Sequence, residues 1–158
     1  MNILKAVLQR VTKATVYADG EFSGEIGGGL YILLGVEGTD EELDAELLCE
    51  KIAKLRIFND ENGKMNRSLI DVDGEALVVS NFTLNANYEH GNRPDYFSGA
   101  APDVANRLYE YFVSLFSQKI KKVATGKFGA DMLTEMITDG PVTICMESQK
   151  LRKGKNKL

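Results

Sequence analysis

Residues 3–26 read ILKAVLQRVTKATVYADGEFSGEI, and this stretch decides the fold. Ile3–Arg10 and Thr12–Ala18 alternate apolar and polar side chains, with Val7, Val11 and Val16 among the apolar members. That is the two-residue period of a strand with one buried face. Asp19-Gly20 predicts a tight hairpin turn, because both central positions of such a turn need positive φ. Glu21–Ile26 then returns as the second strand. Gly27-Gly28-Gly29 has no helix after it, so it reads as a bend rather than a phosphate cradle. Leu30–Val36 is a dense apolar run, expected as a central strand.

Further along, Thr39-Asp40-Glu41-Glu42 fits a capping box, with Thr39 as N-cap and Glu42 reaching back. Leu43, Leu47, Leu48, Ile52 and Leu55 follow at helical spacing. Arg56–Phe58 is short and strand-like, Asn62-Gly63 is a turn, and Ala76–Leu84 predicts another central strand. Residues 85–101 are polar and Gly-rich, an irregular loop of the length that more often serves function than not. Pro102-Asp103 opens a second helix with a core stripe of Val104, Leu108, Tyr111, Phe112, Leu115 and Phe116. Lys121–Thr125, Leu133–Thr138 and Val142–Glu147 read as strands, the last two separated by a turn at Asp139-Gly140-Pro141. Two main helices among many short strands make a single α+β domain.

Composition narrows the chemistry. The chain has 158 residues, one histidine (His90) and two cysteines (Cys49 and Cys145). One histidine excludes a multi-histidine metal site within one subunit. The cysteine surroundings read as buried, reduced thiols. Apolar runs such as Leu30–Leu34 are too short to span a bilayer. The start Met1-Asn2-Ile3-Leu4-Lys5 lacks signal-peptide features, so a cytoplasmic protein is expected. Five of the 19 basic residues (Lys150, Arg152, Lys153, Lys155 and Lys157) fall in the last nine, with no acid among them. The other 149 residues hold 14 basic and 23 acidic groups, a net of −9. Such an acidic body is a poor general nucleic-acid binder. The basic end, residues 148–158, reads as a solvated, flexible tail that could touch phosphates.

No carboxylate pair, nucleophile elbow or Walker loop is present. Two segments are unusual in their own right. In Ser80-Asn81-Phe82-Thr83-Leu84 an apolar strand abruptly acquires polar side chains before the long loop. Hydroxyls and free N–H groups at a strand end suit an anion or a developing oxyanion. In Asp139-Gly140-Pro141-Val142-Thr143 a Gly-Pro step precedes a strand.

The chain resembles the D-aminoacyl-tRNA deacylases, also called D-tyrosyl-tRNA deacylases. The stretches that carry the resemblance are Leu8–Thr12, Gly24–Gly27, Leu33–Val36, Arg56–Phe58, Gly63–Asn66, Val78–Leu84, Gly91–Pro94, Thr125–Met132 and Asp139–Thr143, in the family's order. The domain expected from them is 1–147. The resemblance implies a homodimer of mostly antiparallel, β-barrel-like subunits with helices packed outside. It implies hydrolysis of the ester joining a D-amino acid, or glycine mischarged on tRNA-Ala, to the tRNA 3′-terminal adenosine, with L-aminoacyl-tRNA rejected. It calls for no cofactor, metal, membrane or DNA partner.

Residue by residue, the family's SQFTL motif falls on Ser80–Leu84, with Asn81 where the family usually has Gln. Ser80, Asn81, Phe128 and Met132 are then substrate-binding residues, the last two walling the adenosine pocket. Gly140-Pro141, cis in the family, enters the partner subunit's site and excludes an L side chain. Arg10 resembles the arginine that supports that loop. Backbone N–H groups at Phe82 and Thr83 are the expected oxyanion donors, and the RNA's terminal ribose hydroxyl assists the water. A Thr83 Oγ nucleophile is the alternative. A non-catalytic nucleotide-binding dimer and a structural homodimer are the competing functional classes.

Overall fold

β1 (Lys5–Ala18) is the spine of the computed structural model, which describes residues 3–155. Asp19 and Gly20 turn it at positive φ (49° and 82°) into β2 (Glu21–Ile26), as the hairpin signal predicts. Ala14 faces Ile26 and Val11 faces Gly29, so β2 and β3 (Gly29–Gly35) continue one antiparallel register along β1. After β3 come α1 (Glu42–Lys54), a small hairpin of β4 (Phe58–Asn59) and β5 (Met65–Arg67), and β6 (Glu75–Ser80). A 3-10 turn (Phe82–Asn85), α2 (Pro102–Ser117) and β7 (Val123–Thr125) follow. The chain closes with β8 (Met132–Glu147) and α3 (Ser148–Lys155).

β6 joins β3 in parallel, and β7 joins β6 in parallel. Parallel neighbours need long crossovers, which α1 and α2 supply. The outer edge of β1 takes β8 along its whole length, from Ala18↔Met132 to Lys5↔Glu147. Ser23 Oγ in β2 donates to Thr125 O in β7 (2.8 Å), which brings the two sheet edges together. The result is the expected α+β architecture, a nearly closed barrel-like sheet with helices outside, here three rather than two.

Two apolar layers hold it together. Leu30, Ile32, Leu34, Ala76 and Val78 point from β3 and β6 toward Leu48, Ile52, Phe112 and Phe116 of the helices. Their alternates Tyr31, Leu77 and Val79 fill the barrel with Val11, Ala14, Val16 and Ile26. Burial on both faces is why these strands read as unbroken apolar runs.

Several sequence expectations are corrected. The α1 N-cap is Glu41, whose N–H donates to Asp44 Oδ2 (2.8 Å), not Thr39 with Glu42. Asp40 is instead drawn inward to accept the Glu37 N–H (2.6 Å), which shifts the cap by two residues. The predicted strand Ala76–Leu84 stops at Ser80. Leu133–Thr138 and Val142–Glu147 are one strand rather than two. Gln9 pairs with Thr143 and Val11 with Thr138, so Asp139–Val142 bulge out opposite Arg10 alone. In α2, Tyr109 is buried with Leu108, Phe112 and Phe116, while Val104, Tyr111 and Leu115 are half-buried. Cys49 is buried, but Cys145 lies on the exposed face of β8.

Of the basic end read as a flexible tail, Ser148–Lys155 form α3, and 156–158 lie outside the described residues. Ser148 exchanges two hydrogen bonds with Leu4 (2.9 and 3.0 Å) and donates to Asp44 Oδ1 (2.8 Å). Arg152 grips both oxygens of Asp44 (2.7 and 3.0 Å). Asp44 is fully buried; burial pushes its carboxyl up, but Arg152, the Glu41 N–H and Ser148 outweigh this and hold it below the usual range.

Replacing Arg152 by Leu leaves that buried carboxylate unpaired. The expected loss is about 2–3 kcal/mol, below the usual cost for a fully buried pair because Arg152 is a quarter exposed. Urea unfolding at pH 7 checks this. The deficit shrinks in acid, because a depressed carboxyl contributes stability that disappears as pH falls through its folded value. Asp40 has the opposite sign. Burial pushes its carboxyl up to about 6, so its contribution is lost as pH rises from about 4 through 6. Asp40→Asn keeps an acceptor and is expected to gain about 2–3 kcal/mol on the parent between pH 4 and pH 7, read from unfolding curves at the two values.

Candidate active site

β6 ends where its neighbour β3 ends. Asn81 donates its N–H to Leu34 O (2.8 Å), a last rung of the parallel ladder, and the chain then turns sharply. The turn is capped by Asn81 itself, whose Oδ1 accepts the Thr83 N–H (3.1 Å) and the Thr83 hydroxyl. A short polar side chain that satisfies the next amides competes with strand continuation, which is why the apolar run stops here. Gly35 lies beneath the turn. A Cβ there would sit 2.8 Å from Leu84 Cβ and 3.1 Å from Asn81 O.

The opposing wall is the loop between β7 and β8. Gly129 (φ +79°) turns it, and Ala130 N–H closes the turn on Lys127 O (3.1 Å). The β1–β2 hairpin pins it: Asp19 N–H donates to Asp131 O (2.8 Å), and Asp131 N–H donates to Asp19 Oδ1 (3.1 Å). Gly126 has no side chain because the Met132 sulfur occupies that space.

Between the walls lies a cavity of about 620 Å³. Ser80, Asn81 and Phe82 line one side, and Phe128 and Met132 the other. The four expected substrate-binding residues and Phe82, an expected oxyanion donor, therefore meet, although 46 positions separate Phe82 from Phe128. The volume suits a small organic ligand, and the lining is largely apolar with a few polar groups. Sequence reading missed Tyr31, Thr134, Tyr96 and Tyr109. Tyr31 OH and Thr134 Oγ1 are bonded at 3.1 Å inside the cavity. Burial pushes the Tyr31 hydroxyl's pKa up, so it stays protonated. Tyr96 stands edge-on to Phe82 (5.0 Å between ring centres). Tyr109 donates to Val78 O (2.8 Å) behind Phe128. Tyr31 and Tyr109 sat inside apolar stretches that read as core, and only their hydroxyls mark them out.

Thr83 is exposed and does not line the cavity. Its hydroxyl and N–H are both committed to Asn81, and no base stands on it among the described residues. Of the two expected oxyanion donors, Thr83 N–H is thus already engaged, whereas no protein acceptor takes the Phe82 N–H among the described residues. Among those residues there is also no group of three or more side chains suited to a metal ion.

Gly140 and Pro141 do not join this cavity. They are joined by a cis peptide bond and lie eight and nine positions beyond Met132, roughly 25 Å along β8. Arg10, almost fully buried, anchors the base of their bulge. Its Nε donates to Asp139 O (3.1 Å) and pairs with the Asp139 carboxylate (3.2 Å), while Nη1 donates to Ile57 O (2.8 Å). Gly140, Pro141, Leu133 and Ile137 are all exposed.

A family model described as D-Tyr-tRNA(Tyr) deacylase matches residues 7–147. A D-aminoacyl-tRNA deacylase of Thermosipho africanus is 49% identical over 148 residues, 94% of this chain and 99% of that protein. One of Caldicellulosiruptor saccharolyticus is 51% identical with the same coverage. Among solved structures, the c-Myc DNA Unwinding Element Binding Protein superposes with a TM-score of 0.85 at 39% identity, over 90% of this chain and 97% of that one.

The tight fit beneath the Asn81–Leu84 turn is open to test. Gly35→Ala is expected to push the Asn81–Leu84 turn outward and lower stability by about 1–3 kcal/mol. Thermal unfolding reads the loss, and faster hydrogen exchange at the Thr83 amide reads the opened cap. An unchanged melt with unchanged exchange would contradict the packing.

Proposed function

The chain belongs to the D-Tyr-tRNA(Tyr) deacylase family, and on that premise we propose that it hydrolyses the ester of D-aminoacyl-tRNA, releasing the D-amino acid and free tRNA. The observation that carries the reading is the cavity in which the Ser80–Phe82 strand end faces the Phe128–Met132 loop. The terminal adenosine lies against Phe128 and Met132, and the ester carbonyl reaches the turn at Phe82.

An aminoacyl ester is already activated, so positioning and oxyanion donors suffice. The Phe82 N–H is available for the oxyanion. The Thr83 N–H joins it by moving off, or sharing with, Asn81 Oδ1. Asn81 is thereby a cap that holds the turn and yields one donor as charge develops. The RNA's terminal ribose hydroxyl assists the water, which accounts for a site without a histidine base. Thr83 Oγ as nucleophile is the weaker route, since its hydroxyl donates to an amide oxygen, which is no base.

Chirality is selected by a second copy of the chain. Gly140-Pro141 is too far along β8 to reach its own cavity, and it stands on a strand with one unpaired edge and exposed Leu133 and Ile137. In a homodimer the rigid Gly-Pro carbonyls, anchored through Arg10, abut the substrate Cα and exclude an L side chain. A D side chain points away, and glycine, as on mischarged tRNA-Ala, passes. The enzyme works in the cytoplasm and needs neither cofactor nor metal.

Two experiments test the proposal. With one tRNA charged with D- or L-tyrosine, the D ester is expected to disappear at least 100-fold faster than the L ester. Loss of neither would sink the hydrolase reading, and loss of both would sink the Gly-Pro wall. Thr83→Ala is expected to keep at least a tenth of the parent rate. A fall to background would favour the Thr83 nucleophile instead.

A further inference from the structure

One polar contact in the cavity has no part in the ester chemistry. Tyr31 of β3 and Thr134 of β8 bring their hydroxyls to 3.1 Å. β1 stands between these two strands in the sheet, so the bond crosses the barrel interior rather than linking neighbours on a ladder. Thr134 follows Met132 by two positions on β8, and Leu33 follows Tyr31 by two on β3, so each hydroxyl shares a strand face with an apolar residue of the cavity wall. Val79, which pairs with Leu33, adds a third such residue.

Packing does not call for hydroxyls here. A Phe–Val pair would fill the same space with no polar group to desolvate. Two hydroxyls carry two protons, and the bond between them uses one. Burial keeps the Tyr31 hydroxyl protonated. Neither oxygen has a second hydrogen-bond partner among the described residues. The pair therefore keeps one free O–H donor and free lone pairs for whatever fills the cavity.

We infer that the Tyr31–Thr134 pair reads the amino-bearing edge of the adenine ring in the terminal adenosine, and so sets which base the cavity accepts. This rests on the hydrolase reading, which lays that adenosine against Phe128 and Met132. The amino-bearing edge of adenine presents an N–H donor beside a ring-nitrogen acceptor. The pair presents the complement, a lone pair for the amine and the free O–H for the ring nitrogen. Apolar walls such as Phe128 and Met132 hold any base, whereas groups built to hydrogen-bond one edge penalise a ligand that lacks it.

The test compares the 3′-D-tyrosyl esters of adenosine and of purine riboside, which lacks only the exocyclic amine. The parent is expected to hydrolyse the purine riboside ester with kcat/KM about 5- to 10-fold lower, the contribution of one hydrogen bond. In the Tyr31→Phe/Thr134→Val double variant that ratio is expected to fall to about 1–2, through a loss on the adenosine ester. Its thermal melt is expected to match or exceed the parent's, because both partners of the bond are removed together. Tyr31→Phe alone, which keeps the ring, is expected to lose part of the selectivity, and it carries the test if the double variant does not fold. Equal rates of the parent on the two esters would overturn the pair's role and leave the hydrolase reading standing. So would variants that slow equally on both esters, which marks a packing effect alone. If the parent hydrolyses neither ester, calorimetric binding of adenosine and purine riboside decides. Tighter binding of adenosine that the double variant loses keeps the pair and sinks the hydrolase reading, and equal binding of the two sinks both.

Discussion

The structure depends on burying both faces of β3 and β6. Leu30, Ile32 and Leu34 face the helices while Tyr31 faces the barrel, and β6 repeats the pattern with Ala76 and Val78 against Leu77 and Val79. Strands buried on both sides must lie side by side in the middle of the sheet, and a parallel pair there needs a helical crossover. That requirement places α1 and α2 outside, fills the barrel mainly with aliphatic side chains around Tyr31, and brings the C-terminal ends of β3 and β6 to one rim. The cavity sits at that rim because the chain must leave the sheet there.

What makes the rim chemically useful is a conflict over backbone hydrogen bonds. Past Ser80 the ladder with β3 supplies one more bond, from the Asn81 N–H to the Leu34 carbonyl. The following amides must find partners nearby or stay open. Asn81 Oδ1 satisfies Thr83, and the Phe82 amide stays open beside the cavity. An amide left without a protein partner is a hydrogen-bond donor still to be satisfied, and it stands at the cavity's edge. Gly35 and Gly126 make this geometry possible by leaving room for Leu84 and Met132, so the site is shaped as much by missing side chains as by present ones.

Charge is organised with the same economy. Asp40 and Asp44 lie buried near the start of α1, yet titrate in opposite directions, because Arg152 reaches Asp44 whereas Asp40 Oδ1 has no hydrogen-bond partner among the described residues. The Asp44–Arg152–Ser148 clasp ties the last helix to the first strand and to α1. Arg10 does comparable work on the opposite side of β1, where one guanidinium ties the Asp139 bulge to the carbonyl of Ile57.

Local patterns were enough for the β1–β2 hairpin, the apolar strands, both main helices and the polar strand end at Ser80–Phe82, because periodicity and positive-φ turns are properties of neighbouring residues; Phe128–Met132 came only from the resemblance to the family's motifs. Where two elements compete for the same group, local pattern failed. Asp40 was pulled inward and moved the α1 cap, and Asn81 ended a strand that its apolar neighbours would have continued. A Gly-Pro step that looked like a terminating turn became a bulge, because β1 runs past it and pairs with both halves of β8. The tail looked solvated because its one decisive partner, Asp44, lies 108 positions away from Arg152. The sequence by itself determined most of the strands, the two main helices and the candidate site segments. Only the tertiary structure decided which hydrogen bonds those segments satisfy in one another, because a buried polar group is satisfied by whatever the fold brings within about 3 Å, irrespective of its distance along the chain.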